Sequence, residues 1–119
     1  MKNKKYIIAG VGGFVAIVLT FWLLLGNNDD VASFAKCLTD NGVTMYGTDW
    51  CGHCSSQKEL FGDDFKYINF VNCDFHNEEC NEANVIYYPT WKSSDDFLGQ
   101  VGFLTFEQLA ELSGCTVPE

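Results

Sequence analysis

Residues 50–54 read Trp50-Cys51-Gly52-His53-Cys54 and open a helix-like segment that ends near Phe61. A short apolar run at 43–46 precedes them and is typical of a buried strand. Unpaired backbone N–H groups and the dipole at a helix N-terminus stabilise a thiolate on the first cysteine of a Cys-x-x-Cys motif. We therefore predict that Cys51 is a nucleophile. Cys54, one turn later, is predicted to attack the resulting mixed disulfide and release the substrate.

His53 lies between the two cysteines. A protonated imidazole adds positive charge beside Cys51, which favours the thiolate and makes the disulfide more readily reducible, hence more oxidising. Two simpler interpretations of the pair stay open, half of a zinc site and a structural disulfide.

A zinc site would need a second pair of cysteines at a suitable spacing. Eighteen residues separate Cys54 from Cys73, and Cys73 and Cys80 form a C-x6-C pair. Zinc ribbons use C-x2-C in that half, so we expect no metal and no other cofactor. A copper carrier remains the alternative outside the enzymes, with Cys51, Cys54 and His76 as ligands, because soft thiolates suit Cu(I).

The N-terminal region has the pattern of a membrane anchor. Residues 7–25 carry no charge and are about long enough to cross a hydrocarbon core as a helix. Lys2, Lys4 and Lys5 precede this stretch, and Asp29 and Asp30 follow it. The positive-inside rule therefore predicts a cytoplasmic N-terminus and an extracytoplasmic domain. A cleaved signal peptide is the competing interpretation, although its apolar region is normally shorter than this one.

These observations divide the chain into four predicted parts. Residues 1–6 form a cytoplasmic N-terminus, 7–25 a single transmembrane anchor, 26–30 a linker and 31–119 one compact domain. The expected location is the cell membrane, with the domain outside the cytoplasm. All sixteen acidic residues lie beyond the anchor against four lysines, and arginine is absent from the sequence. This balance makes nucleic acid an unlikely partner.

The pattern beyond the anchor predicts an α/β domain. Apolar spacing indicates helices from Val31 to Leu38, 51–61, 78–84 and 106–112, and strands at 43–46 and 67–71. Strand, helix and strand in succession predict a βαβ unit with parallel strands. Two further strands, 90–92 and 97–100, flank a turn at 93–96 and predict an antiparallel hairpin.

Two motifs resemble the thioredoxin superfamily. The string at 50–54 matches the active site of protein disulfide isomerases, and Tyr88-Pro89-Thr90 resembles the cis-proline loop of thioredoxin-fold proteins. The resemblance implies a thioredoxin fold, a small central mixed sheet flanked by helices. It also implies that Pro89 is cis and faces the two cysteines. A bound peptide would pair with the Tyr88 backbone, with Trp50 and Gly52 also in the substrate site.

A closer resemblance covers residues 34–115. The pattern is similar to the thioredoxin-like domain fused to homologues of vitamin K epoxide reductase. It is carried by Tyr46-Gly47, Trp50-Cys51, His53-Cys54, Gln57-Lys58, Phe61-Gly62, Tyr88-Pro89-Thr90-Trp91 and Leu112-Ser113-Gly114. In that family the domain exchanges disulfides between a quinone-linked membrane enzyme and exported substrates. This sequence shows one expected anchor in place of the fused four-helix reductase, so we expect a separate membrane partner of that kind.

One departure from the superfamily concerns proton transfer. Thioredoxins and disulfide isomerases keep a buried carboxylate six residues before the first active cysteine, and Met45 occupies that place here. The usual proton acceptor for the second cysteine is therefore missing. Glu59 or water are the substitutes suggested by the sequence, and slow turnover is one expected consequence.

The other four cysteines most simply form two structural disulfides. Cys73–Cys80 would close a short loop, and Cys37–Cys115 would join the first helix to the end of the last. The more specific alternative is that Cys73 and Cys80 form a second redox-active pair that exchanges disulfides. It is disfavoured because Glu78 and Glu79 would oppose thiolate formation there.

The sequence as a whole predicts an extracytoplasmic thiol–disulfide oxidoreductase. Its catalytic residues would be Cys51, Cys54, His53 and Pro89, and its substrates exported proteins that contain cysteine. The direction of electron flow stays open. A membrane-anchored reductase of the kind used in cytochrome c maturation is the principal alternative.

Overall fold

The computed structural model describes residues 13–20, 29–96 and 99–119. Residues 13–20 are helical and are termed α1. The predicted anchor at 7–25 extends beyond α1 at both ends, and those flanks, like residues 1–6 and 26–28, lie outside the described residues. Within the three described ranges, no helix combines the length and the apolar character needed to cross a membrane.

The domain consists of four further α-helices, one 3₁₀-helix and four strands within the described residues. In chain order these are α2 (Asp29–Asp40), β1 (Thr44–Gly47), α3 (Gly52–Phe61), a 3₁₀-helix (Gly62–Tyr67), β2 (Asn69–Asn72), α4 (Asn77–Glu82), β3 (Thr90–Lys92), β4 (Gln100–Val101) and α5 (Phe106–Ser113).

The four strands form one mixed sheet in the order β2-β1-β3-β4. β1 and β2 are parallel, with Met45 opposite Phe70, which confirms the predicted βαβ unit. β1 and β3 are antiparallel, with Met45 opposite Trp91. β3 and β4 are also antiparallel, as the predicted hairpin requires, and β4 (Gln100–Val101) extends one residue beyond the predicted end at 100. Positions 97 and 98 lie outside the described residues.

Local sequence accounts for most helix boundaries. Thr105 and Gln108 form a reciprocal capping box at the start of α5, and Gly114 ends that helix in the left-handed conformation at φ 76°. α2 begins at Asp29, two residues before the predicted Val31, so two acidic residues of the expected linker belong to the helix. The negative charge of Asp30 is favourable in the first turn of this helix.

The 3₁₀-helix is the one element that the sequence pattern did not predict. Gly62 has φ 59° and ends α3, and the chain then continues for six residues in the tighter helix before β2. The predicted strand at 67–71 consequently begins at Asn69. Short 3₁₀ segments are common connectors at the ends of α-helices, and they have no apolar period of their own.

The core lies between the sheet and helices α2, α3 and α5. Leu38, Met45, Trp91 and Leu109 have no exposed surface. Aromatic rings join the three helices, since Phe61 of α3 packs edge-on against Phe106 of α5 and Phe106 packs likewise against Phe34 of α2. This packing fixes α3, and with it the cysteine motif, against the centre of the sheet.

Candidate active site

Cys51 is the N-cap residue of α3. Its backbone is extended (φ −78°, ψ 118°), and its sulfur accepts a hydrogen bond from the backbone N–H of Cys54 at 3.2 Å. An N-cap side chain normally satisfies one of the unpaired N–H groups of the first helical turn. A sulfur at this place receives the same stabilisation, which is greater when the sulfur is a thiolate.

Cys54 is fully buried behind Cys51, and both thiols are free. Burial, followed by the hydrogen bond with the Cys51 side chain, raises the pKa of the Cys54 thiol to about 12. The Thr48 backbone N–H and the charge of Lys58 act in the opposite direction. The two cysteines therefore differ in access: Cys51 has a small exposed surface and Cys54 has none.

Gly47, the last residue of β1, makes room for the Cys54 sulfur. A methyl group at Gly47 would lie 2.8 Å from Sγ of Cys54 and 3.2 Å from Cε2 of Phe70. Heavy atoms at such distances overlap, so only glycine leaves α3 this close to the sheet. In the next residue, the Thr48 hydroxyl is buried without a hydrogen-bond partner among the described residues.

Lys58 lies four residues after Cys54 on α3 and forms an ion pair with Asp49. Its Nζ is 3.7 Å from Oδ1 of Asp49 and 4.2 Å from the centre of the Phe70 ring. The same Phe70 ring borders Gly47. The Phe70 ring is therefore a neighbour of both the Lys58 ammonium and Gly47, the residue that makes room for the Cys54 sulfur.

Trp50 connects the cysteine motif to two loops. Its indole N–H donates to Oδ1 of Asp74 at 3.2 Å, and its ring contacts Tyr88 edge-on with centroids 6.0 Å apart. The Tyr88–Pro89 peptide bond is cis, and Pro89 is buried. The structure thus brings the 50–54 motif and the proline loop together, as the resemblance implied.

The residues between the cysteines face solvent. Gly52 and His53 are both exposed in the first turn of α3, and a methyl group at Gly52 would meet no atom within 4 Å. Trp50 is also largely exposed, at 71%. These three side-chain positions are therefore accessible to an incoming substrate.

The structure bears on which group could accept the proton of Cys54 in place of the missing carboxylate. Met45 is fully buried, so its position offers no proton acceptor. Glu59 is exposed, whereas Cys54 is fully buried. Of the two substitutes suggested by the sequence, Glu59 is not supported.

The structure contains disulfides at both predicted pairs, Cys37–Cys115 and Cys73–Cys80. Cys73 and Cys80 are 5% and 2% exposed and belong to a small apolar cluster against which Tyr88 packs. A relay requires an attacking thiol to reach a sulfur atom. Their burial therefore favours a structural role that supports the proline loop.

The metal alternatives find little support in this arrangement. A four-cysteine zinc site needs Cys73 and Cys80 as thiolates, but the two are bonded to each other. His76 is an exposed N-cap residue of α4, and within the described part of the chain no three His, Cys, Asp or Glu side chains converge as a metal site would require.

Three residues that shape the site had no role assigned from the sequence, although Gly47 and Lys58 lie in the motifs that carry the resemblance. Gly47 borders the Cys54 sulfur, Asp74 accepts a hydrogen bond from Trp50, and Lys58 follows Cys54 by about one turn of α3. The i, i+4 spacing of Cys54 and Lys58 on a helix was the available signal. The contacts of Gly47 and Asp74 had no signal in the pattern.

Comparison with known proteins identifies a similar oxidoreductase. No protein-family model matches the chain. The thiol-disulfide oxidoreductase LTO1 of Arabidopsis thaliana is 34% identical over 96 residues, which cover 73% of this chain. The chain spans only 25% of the length of that relative. The chain is therefore similar, over most of its length, to one part of a thiol-disulfide oxidoreductase, and its mixed sheet with flanking helices fits a thioredoxin-like fold.

Proposed function

We propose that this chain is a thiol–disulfide oxidoreductase that acts on exported proteins through Cys51 and Cys54. The observation that carries the proposal is the arrangement of the two free thiols, with Cys51 capping α3 and Cys54 buried one turn behind it. This geometry separates a nucleophile from a resolving thiol. Similarity to a thiol-disulfide oxidoreductase supports the same activity.

The reaction follows from that separation. The Cys51 thiolate attacks a substrate disulfide, bonds to one substrate sulfur and releases the other as a thiolate. Cys54 then loses its proton and attacks the Cys51 sulfur. The substrate thiol leaves, and the Cys51–Cys54 disulfide forms. The same steps in reverse oxidise a substrate dithiol, so the chemistry alone allows both directions.

Apolar side chains around the motif suit an unfolded substrate segment. Phe75 follows Asp74 in the chain and Tyr87 precedes Tyr88, and both Asp74 and Tyr88 contact Trp50. Phe75 is 77% exposed and Tyr87 is 64% exposed. Exposed apolar groups next to a reactive centre commonly mark a binding surface. We propose that Trp50, Gly52 and Tyr88 contact substrate at the centre of this surface.

The location and partner are further parts of the proposal. We propose that residues 7–25 anchor the chain in the membrane with the domain outside the cytoplasm. The apolar side chains of α1 support this, since Phe14 and Ile17 are each 69% exposed. A separate quinone-linked enzyme similar to vitamin K epoxide reductase would then reoxidise the Cys51–Cys54 pair. Digestion of the domain by protease added to intact spheroplasts tests the orientation, and protection of the domain would contradict it.

Trapping of mixed disulfides tests the activity. Cys54→Ala removes the resolving thiol, so Cys51 adducts have no internal route of release and should accumulate. Cells are quenched with an alkylating agent, and adducts are identified on non-reducing gels and by mass spectrometry. Cys51→Ala is the matched control and should give none. Absence of adducts with Cys54→Ala, together with tight Cu(I) or zinc binding by the reduced chain, would favour the metal carrier.

A further inference from the structure

Ionisation of the buried Cys54 thiol is electrostatically unfavourable, and the carboxylate that usually accepts its proton is missing here. Cys54 must lose its proton in a site with no exposed surface, and Met45 fills the place where related proteins carry an acid. A thiolate formed there needs a nearby positive charge or donor groups. The Thr48 backbone N–H is one donor, and it belongs to the chain turn just after β1.

Lys58 is the cation that the fold holds beside this thiol. It follows Cys54 by four residues, so the two side chains leave neighbouring turns of α3 on the same side. Its ammonium lies 4.2 Å above the centre of Phe70, and the Phe70 edge and Cys54 Sγ both border Gly47. Only 32% of the Lys58 side chain is exposed, so solvent screens its charge less than that of a fully exposed lysine.

Asp49 forms an ion pair with the same ammonium. The 3.7 Å ion pair joins the segment before Cys51 to the second turn of α3. Its carboxylate also offsets part of the positive charge. The charge of Cys51 raises the pKa of Cys54 and the charge of Lys58 lowers it, and Asp49 is paired with Lys58.

We propose that Lys58 is the electrostatic partner of the resolving cysteine, its ammonium stabilising the Cys54 thiolate while Asp49 positions and moderates that charge. The inference rests on the proposed function and names a positioning residue for its second step. In that step the Cys54 S–H gives its proton to solvent, and the thiolate bonds to the Cys51 sulfur. The Cys51–substrate bond breaks, and the leaving substrate thiolate takes up a proton from solvent.

Glutathione disulfide isolates this step. The full chain, purified in mild detergent with only the Cys51–Cys54 pair reduced, is mixed with saturating glutathione disulfide. Cys51 captures one glutathione, and Cys54 then expels it at a rate independent of glutathione disulfide concentration. Acid quenching and mass spectrometry follow both stages. Lys58→Met should slow the second stage about three- to tenfold at neutral pH and move its pH profile to higher pH.

Three comparisons separate a charge effect from a packing effect. Lys58→Arg should restore most of the rate. Asp49→Asn should accelerate the second stage, because it leaves the ammonium uncompensated. Lys36→Met is the matched control, since Lys36 also stacks on an aromatic ring, at 4.4 Å from the centre of Tyr67, but does not act on Cys54. High salt should shrink the difference between Lys58→Met and the unmodified chain.

Several results would overturn the inference. The rate of the second stage could be unchanged in Lys58→Met, or Lys58→Arg could slow it as much as Lys58→Met does. Asp49→Asn could also slow this stage instead of accelerating it. Because glutathione disulfide reports the intramolecular step alone, a failure to act on protein substrates would contradict the proposed function without affecting this test.

Discussion

At Cys54, burial opposes the reaction that the thiol has to perform. The pKa of the reduced thiol is raised to about 12, first by burial and then by its hydrogen bond with Cys51. When Cys51 is bonded to a substrate sulfur, it can no longer carry the charge that repels a second thiolate. The resolving thiol should therefore ionise more readily in the mixed disulfide than in the reduced protein.

The pH dependence of release follows from this reasoning. While the Cys54 thiol of the mixed disulfide remains mostly protonated, raising the pH should increase the thiolate fraction and the rate of release about tenfold per unit. Lowering the pH should make the mixed disulfide accumulate. Rapid-quench measurements of glutathione release between pH 6 and about 10 check this. A rate that does not vary with pH would contradict it.

Gly47 gives a second test at the level of single residues. Gly47→Ala places a methyl group 2.8 Å from Sγ of Cys54, so the helix or the sulfur must move. We expect a loss of about 1–3 kcal/mol in the free energy of unfolding, as for other overpacked sites, together with slower release by Cys54. Urea denaturation measures the first effect.

Gly52→Ala is the matched control for that substitution. A methyl group there meets no atom within 4 Å, and Gly52 lies in the first turn of α3. Alanine is favoured over glycine in helices, so this variant should be as stable as the unmodified chain or more stable. Equal losses in the two variants would contradict the packing argument.

At the level of secondary structure, we expect the first turn of α3 to influence the redox potential of the Cys51–Cys54 pair. A protonated His53 adds to the positive end of the helix and stabilises the reduced thiolate form. Asp49 opposes this charge but is itself paired with Lys58. Thioredoxin lies near about −270 mV and disulfide isomerase near about −180 mV, a range over which the residues between the cysteines have a large influence.

His53→Pro should therefore lower the potential by on the order of tens of millivolts. Proline is tolerated in a first helical turn, so the fold should persist. Equilibration with glutathione measures the potential. His76→Gln, which alters the only other histidine of the sequence, should leave it unchanged. A potential already near that of thioredoxin and unaffected by His53→Pro would favour the reductase alternative.

The two disulfides act on the stability of the whole molecule. Cys37–Cys115 spans 78 residues and fastens α2 to the segment after α5, where Asn41 also donates to the Ser113 carbonyl at 3.0 Å. Cys73–Cys80 spans only 7 residues. In the chain-entropy account, the longer closure restricts the unfolded chain more.

Replacing each pair by serine should reveal that difference. We expect losses of about 4.5 kcal/mol for Cys37→Ser/Cys115→Ser and about 2.5 kcal/mol for Cys73→Ser/Cys80→Ser. The shorter disulfide should have the larger effect on activity, because Tyr88 packs against its cluster. Urea denaturation and turnover of a disulfide substrate measure the two effects. A reversed order of stability would contradict the entropic argument.

The sequence by itself determined the chemistry and most of the secondary structure. A Cys-x-x-Cys at the start of a helix is a local pattern, and caps, turns and apolar periods are local as well. They predicted the capped helix at Cys51, the parallel βαβ unit and the hairpin. The Cys37–Cys115 and Cys73–Cys80 pairs were the simplest arrangement of the other four cysteines, and the structure contains both.

Only the tertiary structure decided how that chemistry is controlled. Three contacts join residues from different elements. Gly47 leaves room for the Cys54 sulfur, Asp74 accepts a hydrogen bond from Trp50, and the Lys58 ammonium lies over the Phe70 ring. Such contacts depend on how helices pack on the sheet, and no period in the sequence records them. The physical reason is that burial and charge at the Cys54 sulfur are sums over neighbours in space, whereas a sequence pattern reports only neighbours along the chain.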